Sequence, residues 1–135
     1  MKIKIDFVTN SSSTSFILIA DDGFTKQEFL RQLGVHKDSK FKFIFEELFD
    51  AIEDNKKPLR KYCLEYESLS NFKDYIKINY SKDVLDKILK AESAGKSVYL
   101  GRLSSDSGEI EAFFCTDSFE IETESFYFNS INCSW

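Results

Sequence analysis

The spacing of the hydrophobic residues changes along this chain, and this change constrains its fold more than any other feature of the sequence. From Phe41 to Ile52 the apolar side chains recur every three or four residues, as on one buried face of a helix. In much of the chain after residue 97, apolar residues alternate with polar ones, as in a strand with one buried face. The sequence therefore predicts helices and strands in the same chain, rather than an all-helical or all-β fold.

The strand patterns lie at the two ends of the chain, and the helical patterns lie between them. Residues 2–8 alternate apolar with polar positions, whereas residues 16–20 form a continuous apolar run that is typical of a strand buried on both faces. Thr25 and Glu28 have the spacing of a capping box at the start of a helix. The chain is predicted to form one α+β domain, residues 1–135. Its expected sheet is mainly antiparallel, with an N-terminal strand pair plus C-terminal strands, and several central helices pack on one face.

The cysteines and the hydropathy pattern indicate a cytoplasmic protein. The three cysteines, Cys63, Cys115 and Cys133, are odd in number and form no closely spaced pair, which argues against a disulfide framework and a zinc site. No apolar stretch approaches the roughly 20 residues that a membrane-spanning helix needs. The N-terminal residues also lack the apolar core of a signal peptide.

The sequence offers no set of residues for catalysis or for a bound metal. His36 is the only histidine, so a site with several histidine ligands is impossible, and a Ser-His or Cys-His mechanism would depend on this residue alone. It follows a predicted helix end, where the helix dipole favours a cation without any catalytic role. The acidic residues between Glu46 and Asp54 fit the solvated face of a helix. We therefore expect no enzyme activity, catalytic residue, metal or cofactor.

The charges are unevenly distributed along the chain. All 18 Lys and Arg residues lie before residue 103, whereas the residues that follow contain seven acidic side chains and no basic one. Because alternate residues of an extended segment share a face, five glutamates are candidate partner-binding residues: Glu109, Glu111, Glu120, Glu122 and Glu124. Such a surface repels nucleic acids and attracts basic proteins. The alternative is that these carboxylates keep a solvated sheet face soluble and protect its edge.

A polar loop between the first two predicted strands is the second candidate site. It contains Asn10, Ser11, Ser12, Ser13 and Ser15. Hydroxyl and backbone N–H groups of a loop can bind an anion such as phosphate, and the hydroxyls are also candidates for phosphorylation. However, the loop lacks the glycines and the lysine of a phosphate-binding loop. The alternative is a polar connection whose side chains bond to their own backbone.

Residues 1–16, MKIKIDFVTNSSSTSF, resemble the opening of a loose group of uncharacterised small proteins of bacteria and their mobile elements. Those proteins begin with a short basic strand, followed by Phe-Val-(Ser/Thr)-Asn, a serine run and Phe. Thr14 interrupts the all-serine form in this chain. The resemblance implies a bacterial or phage context and transfers no activity and no catalytic residue.

These observations favour a non-enzymatic protein-binding module. It would dock through its acidic C-terminal surface onto a larger protein with a basic surface. Given the resemblance, the specific hypothesis is a mobile-element inhibitor of a bacterial defence system, for example of a CRISPR nuclease. The second hypothesis is a small-molecule or nucleotide-binding domain that uses the Asn10–Ser15 loop. The third is a structural or regulatory domain without a pocket. Membrane association is not expected, and the acidic composition disfavours direct nucleic-acid binding.

Overall fold

The computed structural model describes residues 2–7, 13–22, 24–65, 72–104 and 117–134, with side chains for residues 14–22, 24–62, 73–104 and 120–130. The described residues form six strands and five helices. In chain order they are β1 (Lys2–Phe7), β2 (Ser13–Ala20), α1 (Lys26–Gln32), α2 (Lys42–Asn55), β3 (Lys57–Pro58), α3 (Leu59–Glu65), α4 (Phe72–Asn79), α5 (Lys82–Ser93), β4 (Ser97–Ser104), β5 (Asp117–Glu122) and β6 (Phe126–Ser134).

The strands form one sheet in which every described pair is antiparallel, in the order β1-β5-β6-β2-β4-β3. The predicted α+β class and the antiparallel sheet are confirmed. The two N-terminal strands are not neighbours, because β5 and β6 lie between them. β2 instead pairs with β6 on one side and with β4 on the other, which places the second strand of the chain at the centre of the sheet.

Helices cover both faces of this sheet, which differs from the expected packing on one face. On one face, Phe16 and Leu18 of β2 belong to a core with α1 and α2. On the other face, Ile17 and Ile19 belong to a second core with α3, α4 and α5. All four side chains are buried, because β2 is central and has no polar face to present to water. The continuous apolar run of β2 is the sequence signal for this two-sided arrangement.

The ends of α1 and α5 follow from local sequence signals. Thr25 and Ser81 are the N-cap residues, and each side-chain oxygen accepts a hydrogen bond from the backbone N–H three residues later, at 3.2 and 3.1 Å. Gly34 and Gly95 follow the C-caps with φ angles of 73° and 81°, a conformation that glycine adopts without steric cost. The cap predicted at Thr25 is confirmed.

Part of the predicted C-terminal sheet lies outside the described residues. The alternation predicts a hairpin over residues 98–114; its first strand is β4, and residues 105–116 are not among those that the structure describes. The described sheet continues at β5, which pairs with both β1 and β6. No helix within the described ranges combines the length and the apolar character that crossing a membrane requires.

Candidate functional site

The structure describes three of the five glutamates that form the predicted acidic surface. Glu120 and Glu122 occupy alternate positions of β5, opposite Asn129 and Tyr127 of β6. They therefore share the face of the sheet that carries α3, α4 and α5, whereas the intervening Ile121 belongs to the core on the other face. Glu124 lies exposed between β5 and β6. Glu109 and Glu111 lie outside the described residues.

Glu120 is bound by side chains of the neighbouring strand. The Tyr127 hydroxyl donates a hydrogen bond to Oε2 of Glu120 at 2.7 Å, and the Asn129 amide donates to the same oxygen at 3.3 Å. The Asn129 amide also donates to the Tyr127 hydroxyl oxygen at 2.8 Å. Burial raises the pKa of the Tyr127 hydroxyl, so it remains a protonated donor at neutral pH. The Glu120 carboxylate therefore takes part in a hydrogen-bond network within the fold.

Glu122 is bound by a lysine from α5. Lys87 Nζ lies 2.8 Å from Oε2 of Glu122, and the same nitrogen lies 4.4 Å from the ring centroid of Tyr127. Two of the three described glutamates therefore have hydrogen-bonded or ion-paired partners within the chain, and the charge of the third, Glu124, contributes to the raised pKa of Arg31 after the larger effect of Glu28. A basic surface on another protein would have to displace these contacts before it could bind Glu120 or Glu122.

The serine loop reaches the same face of the sheet through Ser15. This side chain is buried, and its hydroxyl accepts a hydrogen bond from the Tyr80 hydroxyl at 3.0 Å. Ser13 begins β2 and pairs with residues of β4 and β6, while Asn10, Ser11 and Ser12 lie outside the described residues. The described end of the candidate loop thus joins the sheet to the residue that follows α4.

A second cluster, which the sequence did not single out, lies where α1 and the start of α2 border a groove of about 590 Å³. Leu30 and Val35 contribute apolar surface to the groove. Its charged lining consists of four cations and one carboxylate: Lys26, Arg31, Lys37, Lys42 and Glu46. The groove is therefore locally positive, although the whole chain has a formal net charge of −5.

Two of these cations have acidic partners nearby. Lys26 Nζ lies 2.8 Å from the Asp50 carboxylate, and this hydrogen bond raises the pKa of Lys26. Arg31 forms an ion pair with Glu28, and hydrogen bonds from Arg31 and Gln32 lower the pKa of Glu28 to about 2.

The other two cations of the groove differ in exposure, because Lys37 is exposed and Lys42 is half-buried. Within the described part of the chain, Lys37 and Lys42 have no carboxylate at ion-pair distance. The positive charge that a ligand or partner would meet in the groove is therefore concentrated on these two lysines.

Phe41 and Phe43 are exposed on either side of Lys42 in the sequence. Their exposed fractions are 64% and 57%, although Phe41 belongs to the helical pattern that predicts a buried face. Phe41 is the N-cap residue of α2, and its backbone has not yet entered the helix that carries the buried positions. We give the name basic–aromatic surface to Phe41, Phe43, Lys37, Lys42 and the groove that the two lysines line.

A smaller groove of about 370 Å³ lies between α5 and the turn that joins β5 to β6. Lys87, Lys90 and Lys96 line it together with Glu122. Lys87 is already paired with Glu122, and Lys90 and Lys96 stand near the end of α5, where the helix dipole favours cations. These three lysines thus have a structural explanation in the ion pair and in the helix end.

No three His, Cys, Asp or Glu side chains within the described ranges are close enough to hold a metal ion. Comparison of the chain with protein-family models, with the curated proteins and with the solved structures finds no match.

Proposed function

We propose that this chain is a non-enzymatic protein-binding module that docks through the basic–aromatic surface. The observation that carries the proposal is the exposure of Phe41 and Phe43, which flank the groove residue Lys42 in the sequence. Single exposed apolar side chains are common on protein surfaces, whereas two exposed aromatic residues that flank the groove residue Lys42 in the sequence make this region a candidate interaction site. Aromatic residues are enriched in protein interfaces, where they often supply much of the binding energy.

Burial of the two rings supplies a driving force for docking. Full burial of a phenylalanine side chain stabilises by about 1.5–3 kcal/mol relative to leaving it in water. More than half of each of the Phe41 and Phe43 side chains remains exposed in the isolated chain, so most of this stabilisation is absent there. A partner that covers both rings would recover it, whereas the internal cores of the fold are already closed without them.

Docking through the C-terminal glutamates, the mode that the sequence favoured, has less support. An inhibitor that inserts glutamates into the basic groove of a defence enzyme needs accessible carboxylates, and Glu120 and Glu122 have internal partners. That proposal now depends on Glu124 and on the two glutamates outside the described residues. The same experiment can test both docking modes.

Site-specific photo-crosslinking tests the proposal. The photoreactive residue p-benzoylphenylalanine is placed at position 41, at position 78 or at position 124, and each protein is irradiated in an extract of the source organism. Ile78 is the matched control, because it is exposed on α4, which packs on the opposite face of the sheet from α2. We expect a discrete protein adduct from position 41 that Phe43→Ser weakens.

Equal adducts from positions 41 and 78, or none from position 41, would contradict the proposal. An adduct confined to position 124 would favour the acidic docking mode instead.

A further inference from the structure

We infer that the segment bound at the basic–aromatic surface is an acidic peptide with interspersed aliphatic side chains, which lies in the groove between α1 and the start of α2. The inference rests on the proposed function and adds the chemistry of the partner. It follows from three features of the groove: its charge, its apolar lining and the acidic residues that limit it on α2.

The charge of the groove favours a partner with carboxylates. Lys26 and Arg31 are compensated by Asp50 and Glu28, so the charges of the groove lining that remain are those of Lys37, Lys42 and the single carboxylate of Glu46. The sum of these three charges is positive. A carboxylate brought to either lysine gains an opposite charge at short range without breaking an ion pair of the described chain. A basic or neutral segment would leave both ammonium groups unpaired at the edge of the interface, at a cost in desolvation.

The apolar lining of the groove favours aliphatic side chains between those carboxylates. Leu30 is buried, and Val35 is half-buried and packs against the core below the groove. The volume of about 590 Å³ lies within the range of roughly 300–1,000 Å³ that ligand pockets span, so it can hold a few side chains but not a folded domain. Phe41 and Phe43, at the start of α2, would contact the partner beyond the groove.

The acidic residues of α2 argue against a nucleic acid or an anionic membrane as the partner. Glu46 lines the groove one helical turn after Lys42, and Glu47 follows it on α2. A nucleic-acid backbone carries a negative charge at every nucleotide, so an extended strand would run against these carboxylates. A short peptide can place its acidic residues at Lys37 and Lys42 and end before these carboxylates.

Fluorescence anisotropy with defined probes tests the inference. The probes are a short synthetic peptide of alternating Glu and Leu, its matched version with Gln in place of Glu, a single-stranded oligonucleotide and vesicles containing phosphatidylserine. We expect the Glu peptide to bind about tenfold or more tightly than the Gln peptide at low salt, and this difference to shrink as salt rises.

Charge-reversal variants locate the binding. K37E/K42E should weaken binding of the Glu peptide by about tenfold or more, because both unpaired groove lysines are reversed. The matched control K77E/K82E reverses two exposed lysines on α4 and α5 across the sheet, and it should change binding by less than about twofold. Circular dichroism and thermal melts verify that both variants are folded.

Equal binding of the Glu and Gln peptides, no binding of either, or equal effects of the two double variants would overturn the inference. Tighter binding of the oligonucleotide or of the vesicles would overturn it in favour of those partners. If crosslinking at position 41 still captures a protein, the proposed function stands and only the partner chemistry is wrong. If crosslinking at position 41 captures no protein, the result contradicts the proposed function itself.

Discussion

Tyr127 binds Glu120, a residue that the sequence pattern assigns to a docking surface, in a hydrogen bond within the sheet. Its hydroxyl donates to Glu120 and accepts from Asn129, and the Asn129 side chain is fully buried. The network links β5 to β6 on the sheet face that carries α3, α4 and α5, and it supplies hydrogen bonds to the half-buried carboxylate of Glu120. An acidic residue that alternation assigns to a docking surface thus acts as a hydrogen-bond acceptor within the sheet.

Removal of the Tyr127 hydroxyl should therefore destabilise the protein. We expect Tyr127→Phe to lower the free energy of unfolding by about 1–3 kcal/mol, because Glu120 loses its shortest hydrogen bond. Tyr99→Phe is the matched control, since Tyr99 is half-buried against the other core, and its variant should stay within about 0.5 kcal/mol of wild type. Urea unfolding measures both. Equal losses in the two variants would show that the network contributes nothing specific.

At the scale of single elements, the helix ends are encoded by a few neighbouring residues. Thr25 and Ser81 cap α1 and α5 with their side-chain oxygens, and Phe24 packs against Phe29 across the start of α1 with ring centroids 5.8 Å apart. These contacts join residues within five positions of each other. They could be predicted because the sequence itself places both partners together.

Loss of either cap should weaken the fold by a similar amount. We expect Thr25→Ala and Ser81→Ala each to cost about 0.5–2 kcal/mol, because one N-terminal N–H of the helix loses its acceptor. Ser93→Ala is the control: its hydroxyl bonds to the Leu89 carbonyl within α5, and its removal should cost less than about 0.5 kcal/mol. Thermal melts followed by circular dichroism measure the stability of the three variants. If Thr25→Ala and Ser81→Ala destabilise the protein no more than Ser93→Ala does, the assignment of Thr25 and Ser81 as stabilising caps is wrong.

The start of α2 shows where pattern reasoning fails within an element. Phe41 shares the spacing of Ile44, Phe45 and Leu48, so the pattern assigns it to the buried face. The residue is nevertheless 64% exposed, at the N-cap position that precedes the first helical turn. Spacing identifies a face of the helix, but the length of that face is set by the elements that pack against it. The basic–aromatic surface could therefore not be predicted from the sequence.

At the scale of the whole molecule, the central position of β2 organises two cores. Its alternate side chains divide between α1 and α2 on one face and α3, α4 and α5 on the other. The α+β class follows from the order of the periodic segments, but the strand order does not, because it depends on pairings between distant parts of the chain. The same holds for the ion pair of Lys87 with Glu122, which only the folded sheet brings together.

Substitutions in β2 test the two-core arrangement. We expect Ile17→Ala and Leu18→Ala each to cost about 2–5 kcal/mol, because both side chains are fully buried, on opposite faces. Packing of helices on a single face would make only one of the two substitutions costly. Ile78→Ala, at an exposed position of α4, should change stability by less than about 0.5 kcal/mol. Chemical denaturation measures the free energy of unfolding of the three variants.

The docking claim is tested most directly by mapping amide chemical shifts of the isotopically labelled protein during titration with the Glu-Leu peptide. We expect the shifts to concentrate in residues 26–46, which include all residues that line the groove, and to be lost in K37E/K42E. Shifts concentrated in β5 and β6, with residues 26–46 unchanged, would contradict the proposed docking site. They would show that the peptide binds at the strands that carry the glutamates.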